Sequence, residues 1–434
     1  MAQPTFCAPD LDAFCMLNNS GVTVTGQHLT AESAALECRM GDCDDFCRRC
    51  GAQARVRGSV VRNVTHVPMG WRPTQLHLRL RRYRCDDCAL VWQQDTTSVV
   101  PPAAKLSHAA ALWVLKSVVI DRLSIARVAA NLGVSWHTAN DAVLTTGRRL
   151  LIDDPNRLTG VRVLGVDEHV WRHTRWGNRY VTVVIDLTPV ADGKGPARLL
   201  DMVPGRSKQT FITWLNAQTS AFRAGVEIVA MDGFTGYKTA AAQSLPEATT
   251  VMDPFHVVAL AGQAVDKARQ RIQQATLGHR GRKGDPLYGI RKVLKTGKDY
   301  LTERQQTRLK TVFANPQHQP VQTTYDIYQQ IVAAYRNPNR QKAKKRLRKL
   351  IDSMSHGIPN TLTELQTLGR TMKRRAADIL AYFDHVGTSN GPTEAINGRI
   401  EHLRGTALGF RNLAHYITRA LLDTGGFRNK IHSL

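Results

Sequence analysis

The sequence predicts an α/β core preceded by two small modules, a metal-stabilised β domain and an all-α domain. Three features carry that prediction. Four cysteines fall into two C-x2-C pairs, an amphipathic helical repeat with a glycine turn follows, and apolar strand-like runs then alternate with helical ones. A length of 434 residues is too long for one ordinary domain and allows two to four.

Apolar residues make up 42% of the chain, enough for packed cores. The 59 Lys and Arg against 35 Asp and Glu give a formal net charge of +24. A balance this basic favours a polyanionic partner, and the charge is spread along the chain, so nucleic acid fits better than a membrane surface. The start "MAQPTFCAPDLDAF" has neither the basic nor the apolar stretch of a secretory signal. The run "AALWVLKSVVI" is short and carries Lys116, so it reads as a core helix and no membrane attachment is expected. A cytoplasmic location follows, where clustered cysteines bind metal more often than they form disulfides.

Cys47-Arg-Arg-Cys50 and Cys85-Asp-Asp-Cys88 are the β domain's knuckles. Two intervening residues let one tight turn aim both sulfurs at one ion, and two such turns complete a tetrahedron. Between them "RVRGSVVRNV" and "QLHLRLRRYRC" alternate as strands, the hairpin of a zinc ribbon, although the gap is longer than usual. Four thiolates leave no open position, so the zinc is structural. Cys43 and Cys38 are near enough in sequence to replace a ligand, while Cys7 and Cys15 read as small buried hydrophobes.

In "SIARVAANLGVSWHTANDAVLTTGRRLL", Ile125, Val128, Ala129 and Leu132 mark one helix face, Gly133 supplies a turn, and Ser135 caps a second helix. With "SHAAALWVLKSVVIDRL" this makes a three-helix, helix-turn-helix module. Trp136, Ala139 and Val143 are expected inside. His137, Thr138, Asn140 and Asp141 are left outside, where a recognition helix reads bases, and Arg148 and Arg149 follow as phosphate contacts.

After residue 160 the order is three strands, helix, strand, helix, strand, helix, an α/β layer with an antiparallel start like the ribonuclease H fold. Asp167 lies in "VRVLGVDEHVW" and Asp232 ends "EIVAMD". If the first strand neighbours the fourth, the two acids face each other. Close carboxylates repel unless a cation lies between them. Magnesium suits such hard oxygen ligands, and two ions roughly 4 Å apart serve phosphodiester chemistry. Alternation along "LGVDEHVW" cannot choose between Asp167 and Glu168, because both faces are apolar. In "TSNGPTEAINGRIEHLRGTALGFRN", Glu394, Asn397 and Glu401 share a helix face, but taken alone Glu394 reads first as a capping carboxylate after Asn390 or Gly391. Likewise Asp253 in "MDPFH" reads as a cap for a helix starting at Pro254.

Taken together, "GVDEH", "MDGFTGYK", "DPFH" and the long final motif closely resemble the DDE transposases of bacterial insertion sequences, nearest to the ISL-three type. The resemblance covers nearly the whole chain. It implies Asp167, Asp232 and Glu394 as the metal-binding triad, holding two Mg2+ or Mn2+ ions, and Asp253 and His256 as an Asp-x-x-His motif. His256 then acts on a carboxylate or the scissile phosphate, Asp253 and Asn397 support the ligands, and Glu168 is a supporting acid. Gly165 is read as room for phosphate or metal.

The expected layout is a zinc ribbon over 34–100, a helix-turn-helix domain over 105–152, a ribonuclease H-like core over 160–256, a basic helical insertion over 257–385, the final core helix over 386–412, and a tail over 413–434. The expected function is to bind terminal inverted repeats of double-stranded DNA, cleave the element ends, and join the 3′-hydroxyls to target DNA as a homodimer or higher oligomer. Two alternatives are a non-catalytic zinc and helix-turn-helix regulator, and a ribonuclease H-like nuclease without strand transfer.

Overall fold

The computed structural model describes residues 8–41, 44–174 and 179–434. Residues up to Arg157 together with Thr406–Leu434 form one compact unit, and Leu158–Gly405 a second. Among the described residues no helix is long and apolar enough to cross a membrane.

The first unit holds a five-stranded sheet of β1 (Val22–Leu29), β2 (Ala34–Met40), β3 (Arg55–Met69), β4 (Arg72–Arg84) and β5 (Val91–Gln93). The order is β1-β2-β4-β3, with β5 beside β4. Strand β4 shows why the sheet forms: Leu76, Leu78 and Leu80 are buried while His77, Arg79 and Arg81 are exposed, the period-two pattern of one covered face. The β domain thus begins at Val22, earlier than the expected 34, because β1 pairs with β2 along its length.

Three helices follow, His108–Val119, Ile125–Leu132 and Trp136–Gly147, each capped by a serine side chain, Ser107, Ser124 and Ser135. Gly133 ends the second with φ of 62°, the left-handed stop that glycine adopts most easily. The supposed tail is two further helices, Leu413–Thr424 and Arg428–His432. Leu422 and Ile431 of these helices, with Phe427 between them, join the core of the three helices. A side chain at Gly147 would meet Leu422 at 2.7 Å, so this packing requires a glycine there. The tail expectation failed because the segment's apolar face has its partner some 270 residues earlier, as in the Arg148–Thr418 hydrogen bonds.

The second unit is built on β6 (Val163–Val170), β7 (Tyr180–Asp186), β8 (Arg198–Pro204), β9 (Ile228–Met231) and β10 (Thr249–Met252), ordered β10-β9-β6-β7-β8. The pairs β6–β7 and β7–β8 are antiparallel, and β6–β9 and β9–β10 are parallel. This is the ribonuclease H-like layout that the order of elements predicts. The turn signal Gly177-Asn178 lies outside the described residues. Leu164, Val166, Val229 and Met231 pack on Phe211 and Trp214 of the helix Lys208–Asn216 and on Tyr237 of Thr235–Ser244.

The long helix Pro254–Leu277 leads out of β10 into a helical region with its own apolar core, which includes Val265, Ile331, Leu347 and Met372. That region returns to the sheet at the helix Ala376–Ala381, where Thr250 of β10 donates to Asp378 (2.8 Å).

Candidate active site

The register of the parallel pair β6–β9 ends at Val166 opposite Met231, so Asp167 and Asp232 follow side by side at the carboxyl ends. Asp167 Oδ1 accepts from the Glu168 N–H (2.8 Å), and Asp232 Oδ1 accepts from the Phe234 N–H (2.8 Å). Burial is the main cause that pushes the Asp167 carboxyl up to about 7. The Glu168 N–H opposes this, and the charges of Asp232, Glu168 and Glu394 add to it. An acid held near neutrality by burial and like charges is where a divalent cation gains most from binding.

Strand alternation separates the two acids of β6. Glu168 is exposed and pairs with Arg206 (3.3 Å), whose guanidinium lies 3.9 Å from the Tyr180 ring centroid. Asp167 points the other way, toward the helix Gly391–Thr406, and its Oδ2 accepts from the Asn397 amide (3.1 Å). Gly165 shares that side. A Cβ there would lie 2.9 Å from Thr393 Oγ1 and 3.1 Å from Leu187, so the missing side chain admits the helix and not a phosphate or metal, a correction to the reading of this glycine.

Asp253 links the start of two helices. One carboxylate oxygen caps Pro254–Leu277 by accepting from the His256 N–H (3.3 Å), and the other accepts from the Asn390 N–H (2.8 Å) just before the Glu394 helix. Burial raises the carboxyl of Asp253, against the pull of these hydrogen bonds. The His256 ring rests on Gly233, where a Cβ would lie 2.7 Å from Cδ2 and 3.0 Å from Nε2, so the residue after Asp232 must be small. Glu394 is exposed in the first turn of its helix, and Glu401 bonds to Arg404 further along. The three carboxylates do not close into one cluster. Among the described residues only four cysteines bring three or more ligand atoms within 4.8 Å of one another.

Sequence reasoning missed a buried ionic network behind Asp232. Arg375 donates to the Gly233 carbonyl (3.1 Å) and to Asp378 (2.5 Å), and Lys238 also reaches Asp378 (2.9 Å). Both Arg375 and Asp378 are buried. Only their i,i+3 spacing was legible, which says nothing of a carbonyl 142 residues away. Among the described residues Asn390 Oδ1, Thr393 Oγ1 and Asn397 Oδ1 are buried without hydrogen-bond partners, so polar acceptors line the same region as Asp167. Hard oxygen donors of this kind fit magnesium or manganese.

The four cysteines are Cys47, Cys50, Cys85 and Cys88. The sulfurs of Cys47 and Cys88, and of Cys50 and Cys85, lie 3.4 Å apart. A zinc ion about 2.3 Å from four sulfurs sets edges of about 3.8 Å, so the set fits zinc. The knuckles are alike: Cys47 N–H donates to Ala52 O (2.8 Å) and Cys85 N–H to Leu90 O (2.9 Å), around left-handed Gly51 and Ala89. Cys38 is fully buried in the apolar core with Cys15, and burial pushes its thiol up to about 12, so it is no alternative ligand. Cys43 and Cys7 lie outside the described residues.

On the helix Trp136–Gly147, His137 and Asp141 are exposed and Thr138 is half-buried, its hydroxyl bonded to Ser135 (2.9 Å). Asn140 is only 3% exposed, and Trp136 is 47% exposed, so two assignments on this helix are reversed. The buried arc runs through Ala139, Asn140, Val143 and Leu144; Trp136 shares its angular phase but is the helix's first residue, where that face is not covered. Arg149 is exposed, and Arg148 donates to Thr418 Oγ1 (3.0 Å).

Comparison with known proteins gives concordant matches. The ISL3-type DDE profile, described as Transposase, matches residues 164–420, and the zinc-finger of transposase IS204/IS1001/IS1096/IS1165 matches residues 45–88. The transposase for insertion sequence element IS1001 of Bordetella parapertussis is 25% identical over 86% of this chain and 87% of its own. The transposase for IS1557 of Mycobacterium tuberculosis is 25% identical over 88% of this chain and 86% of its own. Among solved structures, the Drosophila P element transposase strand transfer complex aligns at 11% identity and a TM-score of 0.38, over 74% of this chain and 92% of that one. The catalytic profile covers more than half of the sequence, and the chain belongs to the ISL3 family of DDE transposases.

Proposed function

We propose that this transposase binds the terminal inverted repeats of its element, cleaves the DNA ends by metal-dependent hydrolysis, and joins the freed 3′-hydroxyls to target DNA. The observation that carries the reading is the placement of Asp167 and Asp232 side by side beyond the last register pair of β6 and β9. Asp167, Asp232 and Glu394 would hold Mg2+ or Mn2+. When bound, such ions supply a nucleophile at neutral pH and charge stabilisation for the leaving oxygen. The chain's own part is to position. Asn397 orients Asp167, Asp253 fixes the start of the Glu394 helix, and His256 stands over Gly233 beside Asp232.

DNA recognition belongs to the first unit in this reading. His137 and Thr138 face bases, and Arg149, with Arg148 beside it, contacts phosphates, while Asn140 supports the helix from inside. In the helical region the helix Arg340–Ser355 exposes Lys342, Lys345, Arg346, Arg348 and Lys349, and among the described residues none of them makes an ion pair. That face is suited to backbone phosphates. Joining two ends in one event requires at least a dimer in the active complex, and a cytoplasmic location fits the absence of any spanning helix among the described residues.

The test is incubation of the purified protein with its terminal repeats, a target plasmid and Mg2+. Nicked ends and joined product are expected. Ends cut but never joined would reduce the protein to a nuclease, and binding without cutting would reduce it to a regulator.

A further inference from the structure

Two phenylalanines beside the acids stand in solvent. Phe234, two residues after Asp232, is 42% exposed, and Phe255, between Asp253 and His256, is 64% exposed. Phe234 stands just before the helix that follows β9 and Phe255 in the first turn of the helix that follows its parallel neighbour β10, and the two segments meet where the His256 ring rests on Gly233. Large aromatic side chains left uncovered next to charged groups forgo burial that a slightly different sequence would recover.

The position of Phe234 is built. A Cβ on Gly236 would lie 2.3 Å from its ring, so that glycine makes the space in which the ring lies. The ring stands edge-on to buried Tyr237, with centroids 5.0 Å apart and planes at 82°. The backbone N–H of Phe234 is the donor to Asp232 Oδ1 (2.8 Å), so ring and acid are fixed by the same turn. One side of the aromatic is therefore backed by protein while the rest is open to solvent.

We propose that Phe234 and Phe255 form an aromatic lip that takes an unpaired nucleobase of the DNA end next to the scissile phosphate, so that the end is opened before it is cut. The inference rests on the reading of Asp167 and Asp232 as a phosphodiester site. An aromatic face accepts any base, because every base has a π-face, and it does so without hydrogen-bond readout. The strongly basic chain supplies the attraction for the backbone on either side. A second copy of the chain or a lipid surface would leave the adjacent acids unexplained.

The test places 2-aminopurine at successive positions around the cleavage point of a duplex end and follows its fluorescence on binding in Ca2+, then cleavage in Mg2+. Wild-type protein should raise the fluorescence at one position, and Phe234→Ala and Phe255→Ala should reduce that rise. Cleavage of fully paired ends should fall roughly 5- to 100-fold in Phe234→Ala, the worth of one base stack. A mismatch at the same position should restore most of the loss, and Phe234→Trp should retain activity, neither of which a merely structural role would produce. Exposed Phe255 serves as the variant least able to disturb folding. Equal deficits on paired and mismatched ends, or wild-type behaviour of the double alanine variant, would overturn the proposal. An Asp232→Asn protein, which keeps an acceptor oxygen for the Phe234 N–H, run in parallel separates the two readings. If it cuts, the active-site assignment fails; if it does not cut but still shows the fluorescence rise, the lip stands independently of the chemistry.

Discussion

The four cysteine sulfurs of the first unit stand within 4.8 Å of one another, whereas the three acids of the second gather into no such group. Each cysteine pair is placed by its own tight turn, and the two turns are fixed by the same N–H to carbonyl bond around a left-handed residue. The acids come from three separate elements. A strand ladder aligns Asp167 with Asp232, but Glu394 is held only through its helix, by Asp253 at one end and by the Asn397 amide on Asp167. On the function proposed above, the difference separates a site meant to be closed and permanent from one left open for substrate. Thiolates that fill a tetrahedron hold a domain together. Carboxylates that are near but not converged leave room for phosphate oxygens to complete the shell.

The sharpest way to break this contrast is to remove one member of each set. Asp232→Ala should lower DNA cleavage by roughly 10³-fold or more while end binding stays unchanged, as read by a cleavage assay beside a gel shift. Cys85→Ser, or strong chelation, should instead abolish end binding and the folded signal of the sheet, since structural zinc contributes on the order of 10 kcal/mol. Reduced protein with no bound zinc by elemental analysis would collapse the contrast from the other side.

Arg375 tests how firmly the open site is braced. Arg375→Met leaves Asp378 buried with less compensation and should cost about 3–5 kcal/mol in denaturant unfolding. Adding Asp378→Asn should recover most of that stability. Cleavage should stay low in the double variant, because the bond to the Gly233 carbonyl is still missing. Full recovery of cleavage would make the network purely structural.

The smallest expected effect concerns the first unit. His66 is fully buried, its Nε2–H donating to the Cys15 carbonyl (2.7 Å) and Nδ1 meeting the Ser107 hydroxyl (2.7 Å). Burial lowers its pKa below the ordinary 6.5. A depressed folded value means stability is present above 6.5 and is lost as pH falls toward the folded value. Unfolding free energy should fall as the pH is lowered below 6.5, and His66→Gln should remove that slope.

What was legible in the sequence follows from how local each determinant is. The cysteine knuckles, the Ser135 cap and the Gly133 turn are set by a few neighbouring residues, and they were read correctly as local structure. The succession of strands and helices pointed to a ribonuclease H-like layer, while the pairing of its first and fourth strands stayed a condition that local sequence does not decide. Asn140 was misplaced because its polarity was weighed above its phase, which it shares with Ala139 and Val143, and Trp136 because the first residue of a helix can carry the phase of the buried face with nothing to cover it. Gly165 was misread because its neighbour, Thr393, lies more than two hundred residues on. The partners of the C-terminal helices and the carbonyl held by Arg375 are equally distant, and no local pattern records them.

The central claim is that Asp167, Asp232 and Glu394 form one metal site that closes around DNA. Calorimetric titration of Mn2+ into the complex with pre-cleaved end DNA tests it directly. Asp167→Asn, Asp232→Asn and Glu394→Gln should each weaken binding tenfold or more in the complex, and Glu394→Gln should matter little without DNA. Unchanged Mn2+ affinity of Glu394→Gln in the complex would make Glu394 a helix-terminal acid and contradict the account.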